Sequence, residues 1–163
     1  MKKSYYIFRH GLTLQAKKKQ WYWHALYSAQ IIDEGKPSIE RLAVYMKDIK
    51  ADYYVCSPFL RCKQTAEVVS KVTGKKFITD KRLGEYVFEF SWNFKKRILS
   101  FISDMEESDY KTIVICTHSI VIEMLIQFVT NGKLKFFHRL TAPLTGVLTI
   151  IKNRKITEKN FNS

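Results

Sequence analysis

Ser4-Tyr5-Tyr6-Ile7-Phe8-Arg9-His10-Gly11 runs from a short aromatic and β-branched stretch straight into an arginine and a histidine, with Thr13 just beyond. A run of this composition reads as a buried strand, and the polar pair at its C-terminal end is where open α/β sheets hold their ligands. Two further runs repeat the arrangement. Tyr53-Tyr54-Val55-Cys56 ends at Ser57-Pro58 and leads into Arg61, Gln64, Thr65 and Ala66. Thr112-Ile113-Val114-Ile115-Cys116 ends at Thr117-His118-Ser119 and leads directly into an apolar helix. Two histidines and two arginines converging at strand ends make a binding site for a phosphoryl group, with one imidazole available as nucleophile.

The rest of the chain fits a sheet flanked by helices. Ile39, Leu42, Ala43, Met46 and Ile49 follow helical spacing after Pro37, a residue tolerated in a first helical turn. A helix from Arg61 to about Val72 stops at Gly74, and a short strand covers 76–79. Phe94, Ile98, Phe101, Ile102 and Met105 mark another amphipathic helix. Ile120, Val121, Met124, Leu125, Phe128 and Val129 mark the one after His118, with Gly132 near its end. Residues 146–152 and 154–157 read as two antiparallel strands turning at Asn153. Alternating strands and helices with short connections predict an α/β fold, a three-layer α/β/α sandwich over a mostly parallel central sheet. Residues 12–32 are the least regular part of the chain.

A chain of 163 residues fits one domain, residues 1–163, large enough to bury roughly 70% of its unfolded surface. Nothing in it has the length of a signal-peptide core or a membrane span. The closest approach, residues 113–129, is interrupted by His118 and Glu123, so a cytoplasmic protein is expected. Cys56, Cys62 and Cys116 are odd in number and lack C-x-x-C spacing, which supports neither a disulfide framework nor a zinc motif. They read as small apolar filler, with a redox or metal cluster as the alternative. The net charge of +13 favours anionic ligands. Its lysines are spread along the whole chain, with one run of three at Lys17-Lys18-Lys19, which reads as a solvated surface rather than a dedicated nucleic-acid reader.

Taken in order, Arg9-His10-Gly11-Leu12-Thr13, Asp33-Glu34-Gly35, Ser57 to Ala66, Asp80 to Glu85 and Thr117-His118-Ser119 resemble the motifs of the histidine phosphatase superfamily, with its phosphoglycerate mutase-like fold. The resemblance implies a metal-independent phosphatase that needs no cofactor. His10 would attack phosphorus to give a phosphohistidine, and His118 would donate to the phosphoryl group. Glu85 would supply the proton for the leaving group, with Glu89 as fallback. Arg9, Arg61, Gly11, Thr13, Ser57 and Ser119 would bind the substrate. That substrate would be a phosphorylated small molecule or a phosphoprotein, as phosphomonoester or phosphoramidate.

The match departs from the family where Leu12 follows the triplet in place of an acidic residue, where Ala16 and Lys17 stand near a usual Asn, where Ser119 replaces a common Gly, and where Cys62 replaces an Ala. With no cap insertion apparent, mutase activity is not expected. A non-catalytic phospho-ligand or nucleic-acid binding protein that retains the pocket is the alternative function, and a metal-dependent hydrolase comes third. Trp21-Tyr22-Trp23-His24 reads equally as a cleft rim or as core packing. His24 and His138 read as ordinary structural or surface histidines, and Thr145 and Gly146 as minor additions to the site.

Overall fold

The computed structural model describes residues 3–132 and 143–162. Six strands form one sheet: β1 (Ser4–Arg9), β2 (Tyr53–Cys56), β3 (Ile78–Thr79), β4 (Thr112–Thr117), β5 (Val147–Lys152) and β6 (Lys155–Asn160). Five α-helices alternate with them: α1 (Leu14–Lys17), α2 (Lys36–Met46), α3 (Leu60–Thr73), α4 (Ser91–Glu107) and α5 (Ser119–Asn131). The strand order is β3-β2-β4-β1-β5-β6. The first four of these are parallel neighbours, and β5 and β6 are added antiparallel. This is the expected mostly parallel α/β architecture.

Side-chain alternation along the strands divides the interior into two layers. Tyr5 and Ile7 of β1 join Ile113 and Ile115 of β4 beneath Phe94, Ile98 and Phe101 of α4 and Val121 and Leu125 of α5. Tyr6 and Phe8 point the other way, with Val114 and Cys116, towards Ile39, Leu42 and Met46 of α2 and Cys62, Ala66 and Val69 of α3. A strand buried on both faces must be apolar throughout, which is why β1 and β4 read as continuous runs rather than alternating ones.

The helix limits follow the sequence closely. Leu60 and Thr73 each add a residue to the helix expected from Arg61 to about Val72, which is α3. Its stop is Gly74 at φ +70°, whose amide caps Ser70 O in the left-handed conformation that glycine adopts without strain. The strand expected over 76–79 shrinks to Ile78–Thr79, at the exposed edge of the sheet. At the opposite edge, β6 runs three residues further than expected and is exposed along its whole length. The β5–β6 turn places Asn153 and Arg154 at φ +52° and +62°, the left-handed pair that suits a two-residue hairpin.

The irregular 12–32 region contains α1, a 3-10 turn at Trp23–Ala25, and a short bridge from Thr13 to Ile31. Ile32 N donates to Leu12 O, which lays the Asp33-Glu34-Gly35 turn against the residue after Gly11. A Cβ on Gly35 would lie 2.5 Å from Leu12 Cβ, so only glycine allows this approach. Among the described residues, no helix is long and apolar enough to cross a membrane.

Candidate active site

The adjacent strands β2, β4 and β1 end at the same level, and the sheet's hydrogen bonds continue one residue past β1 and β2. His10 N donates to Thr117 O and Ser57 N donates to Cys116 O, both at 3.0 Å. These bonds fix the backbones of His10 and Ser57 against the end of β4, and His118 is the next residue of that strand's chain. Arg61 comes from the first turn of α3, and His118 is the residue on which α5 begins. His10, Ser57, Arg61 and His118 are all fully buried, at 0% exposure. Buried polar residues in such number at a strand end point to function rather than packing.

His10 is oriented by its own neighbour. Its Nδ1 lies 2.8 Å from Gly11 O, and a carbonyl can only accept, so Nδ1 carries the proton and Nε2 keeps a free lone pair. That Nε2 is buried and has no hydrogen-bond partner. Gly11 is held in turn by Thr65, whose Oγ1 accepts from Gly11 N at 2.8 Å and donates to Arg61 O at 2.6 Å. Burial, then the charges of Arg61 and Arg9, hold the His10 pKa well below its ordinary value. The imidazole is therefore neutral, as a nucleophile must be.

His118 takes the complementary arrangement. Arg61 Nη2 donates to its Nδ1 at 3.2 Å, so the proton sits on Nε2, which donates to Ser57 Oγ at 2.8 Å. Burial, followed by His10, Arg61 and Arg9, keeps this ring neutral as well. The two imidazoles lie 5.3 Å apart, centroid to centroid. Ser57, expected as a substrate contact, is thus first a partner of His118. Cys62 Sγ approaches the same His118 Nε2 at 3.6 Å, and all three cysteines are free and buried.

Arg61 gives Nη1 to Leu26 O at 2.5 Å, while its Nε has no partner, and neither has Nε of Arg9. Glu85 completes the group, its Oε2 lying 3.5 Å from His118 Nδ1 and 3.9 Å from Arg61 Nη2. Burial pushes its carboxyl pKa up, against the downward pull of Arg61, Arg9 and Arg97. Glu89 is committed elsewhere. It pairs with Arg97, which also donates to Gly84 O at 2.9 Å and Glu85 O at 3.2 Å. Glu89 and Arg97 therefore brace the loop that presents Glu85.

Thr13 is buried beside the group, and its hydroxyl is already engaged: it caps α1 through Ala16 N at 3.1 Å and bonds to Tyr22 OH at 2.8 Å. Ser119 opens α5 next to His118 and is half-buried. Thr145 and Gly146 bind the C-terminal segment, where Asn162 Nδ2 donates to Thr145 O and Phe161 N donates to Gly146 O. His24 is exposed, and His138 lies outside the described residues.

The Trp21-Tyr22-Trp23-His24 stretch divides between the two readings. Trp21 and Trp23 are 79% and 71% exposed, but the Tyr22 ring turns inward and covers the Arg61 guanidinium at 4.3 Å. Tyr22, Arg97 and the Leu26 carbonyl are members of the site that lie outside the motifs, and Thr65 lies inside one that does not disclose its role. Among the described residues, no cluster of three His, Cys, Asp or Glu could hold a metal ion.

Two unpartnered guanidinium N–H groups and an unpartnered imidazole lone pair, buried together, fit an anion with an electrophilic centre. A family model, the histidine phosphatase superfamily (branch 1), matches residues 5–93, and the chain belongs to that superfamily. The fold is shared with solved phosphatases and mutases. The α-ribazole phosphatase of Shigella flexneri superimposes with a TM-score of 0.77 at 19% identity, over 98% of this chain and 96% of that one. Phosphoglycerate mutase of Bacillus anthracis gives 0.70 at 17% identity, over 98% and 92%. The protein histidine phosphatase SixA, in complex with tungstate, gives 0.70 at 15% identity, over 96% and 94%. No curated protein matches the sequence.

Proposed function

We propose that the protein is a metal-independent phosphatase that hydrolyses a phosphomonoester or a phosphoramidate through a phosphohistidine on His10. The observation that carries this reading is the buried, partnerless Nε2 of a neutral imidazole, lying among buried guanidinium N–H donors that also lack partners. Arg9 and Arg61 neutralise the phosphoryl oxygens and stabilise the charge spread over them in the transition state. His10 Nε2 gives its lone pair to phosphorus as the bond to the leaving group breaks. A departing alkoxide takes the proton of Glu85, whose burial favours the protonated carboxyl. Water then attacks the phosphohistidine and gives its proton to Glu85, releasing phosphate and restoring neutral His10.

A phosphate dianion seated beside His118 favours its protonated, donating form, because a nearby negative charge raises an imidazole pKa. Two cationic side chains in the same cleft disfavour a catalytic divalent metal, which they would repel. The fold is common to a small-molecule phosphatase and a protein histidine phosphatase, so both substrate classes are open to this site.

The test is hydrolysis of p-nitrophenyl phosphate and phosphoramidate, with a chelator present, by wild type and His10→Ala. Turnover should be lost by about a thousandfold or more in the variant, with its melting temperature retained. Tight phosphate binding without turnover in the wild type would instead identify a non-catalytic binder.

A further inference from the structure

We propose that Tyr22 is a positioning residue for the phosphate-binding guanidinium of Arg61, an inference that rests on the phosphatase reading of this same site. Three independent contacts tie Tyr22 to it. Its ring lies 4.3 Å from Arg61 Cζ, its hydroxyl is 2.8 Å from Thr13 Oγ1, and its ring centroid is 6.4 Å from that of His10, edge to face. Four residues later the same short segment supplies Leu26 O, the acceptor for Arg61 Nη1. Residues 22–26 thus grip Arg61 twice, once on its flat face and once at its edge.

A guanidinium with five donors could face the cleft in several ways, and its usefulness depends on which nitrogens remain for the anion. Leu26 takes Nη1 and His118 takes Nη2. The aromatic face of Tyr22, assisted by Phe59 at 5.0 Å, blocks rotation out of that plane. What remains is the second N–H of each Nη and the Nε–H, and the Nε is buried and without a partner. The Thr13 bond fixes the phenol relative to the His10-Gly11 backbone, so the nucleophile and the anion site share one reference point. Trp21 and Trp23, one residue to either side, point outward and take no part in this grip.

The experiment measures affinity for inorganic phosphate directly, by calorimetric titration, alongside kcat and KM for p-nitrophenyl phosphate. Tyr22→Phe keeps the ring and should stay within about threefold of wild type on both readouts. Tyr22→Leu removes the face and should weaken phosphate binding and kcat/KM by about tenfold, within the range of a desolvated cation–π contact. In an Arg61→Lys background the Tyr22→Leu effect on phosphate affinity should vanish, because the fork it orients is gone. Should Tyr22→Leu not fold, Tyr22→Met takes its place in the cycle.

The inference is overturned by a Tyr22→Leu affinity within twofold of wild type, by an effect undiminished in the Arg61→Lys background, or by equal losses in Tyr22→Phe and Tyr22→Leu. Phosphate affinity requires no turnover. A failure here is therefore separate from a failure of His10-dependent hydrolysis.

Discussion

At the ends of β1, β2 and β4 the reactive side chains stand on backbone that the sheet itself holds, whereas the two segments leaning over them are loops with a different construction. His10, Ser57 and His118 are fully buried, and each imidazole nitrogen facing a neighbour has its proton assigned by that neighbour. The segments carrying Tyr22 and Glu85 instead expose large aromatics, among them Trp23 at 71% and Phe88 at 90%, and both of these residues sit at positive φ. Non-glycine residues in that conformation cost energy that the surroundings must offset. The rigid floor therefore sets what chemistry is possible, and the two loops set how well a given substrate uses it.

The sharpest test of that division is Glu85→Gln, which keeps the loop and removes only its proton. Hydrolysis of p-nitrophenyl phosphate carries a good leaving group, so an alkyl phosphate is the better probe, and its kcat should fall about a hundredfold. The phosphoramidate kcat/KM, which reports only formation of the phosphohistidine, should change by less than about fivefold, since its leaving group departs readily. Equal losses on both substrates would move Glu85 from the loop's chemistry to the floor's.

A smaller effect concerns pH. Because burial and two arginines lower the His10 pKa, its neutral form persists as pH falls through the ordinary imidazole value of 6.5. After correction for substrate ionisation, kcat/KM for p-nitrophenyl phosphate, whose leaving group does not need the Glu85 proton, should change less than about twofold between pH 7.5 and 6, with the acid limb lying lower. A limb centred at 6.5 would mean that His10 titrates as it does in water, and that the floor is wetter than its burial implies.

The smallest effect lies away from both regions. Glu123 of α5 is 4% exposed, its Oε1 has no partner, and burial pushes its pKa up to about 7. A carboxyl with a raised folded-state pKa stabilises while protonated, and that contribution is lost as pH rises from about 4.5 towards 7. Glu123→Gln should therefore raise the melting temperature by about 3 °C at pH 8 and by less at pH 5. Calorimetry at the two pH values checks it, and kcat should be unchanged.

The contrast between floor and loops also explains what could be read from the chain alone. Arg9, His10, Arg61 and His118 were legible because each follows a run whose composition fits only a buried strand or opens a helix with clear periodicity. Tyr22 was not, because residues 18–27 carry neither period, and a positive φ at Lys19 and at Trp23 sends successive side chains in directions no pattern specifies. Thr65 stood inside a quoted motif, but its role depends on Gly11 lying across from it, a contact between residues far apart in sequence. Arg97 falls outside the apolar positions that mark the fourth helix, and its guanidinium braces the Glu85 loop. A single helix shows which face is polar but not what that face will meet.

The two borders of the sheet carry a consequence for the protein in concentrated solution. One border is the two-residue β3, too short to template another chain. The other is β6, open along its length but studded with Lys155, Glu158 and Lys159, and it belongs to a chain of net charge +13. Adding a second copy there would set like charges side by side with little apolar surface gained. Among the described residues the sheet thus has no edge suited to extension, and growth into strand-by-strand polymers is resisted by electrostatic repulsion on one side and by lack of length on the other.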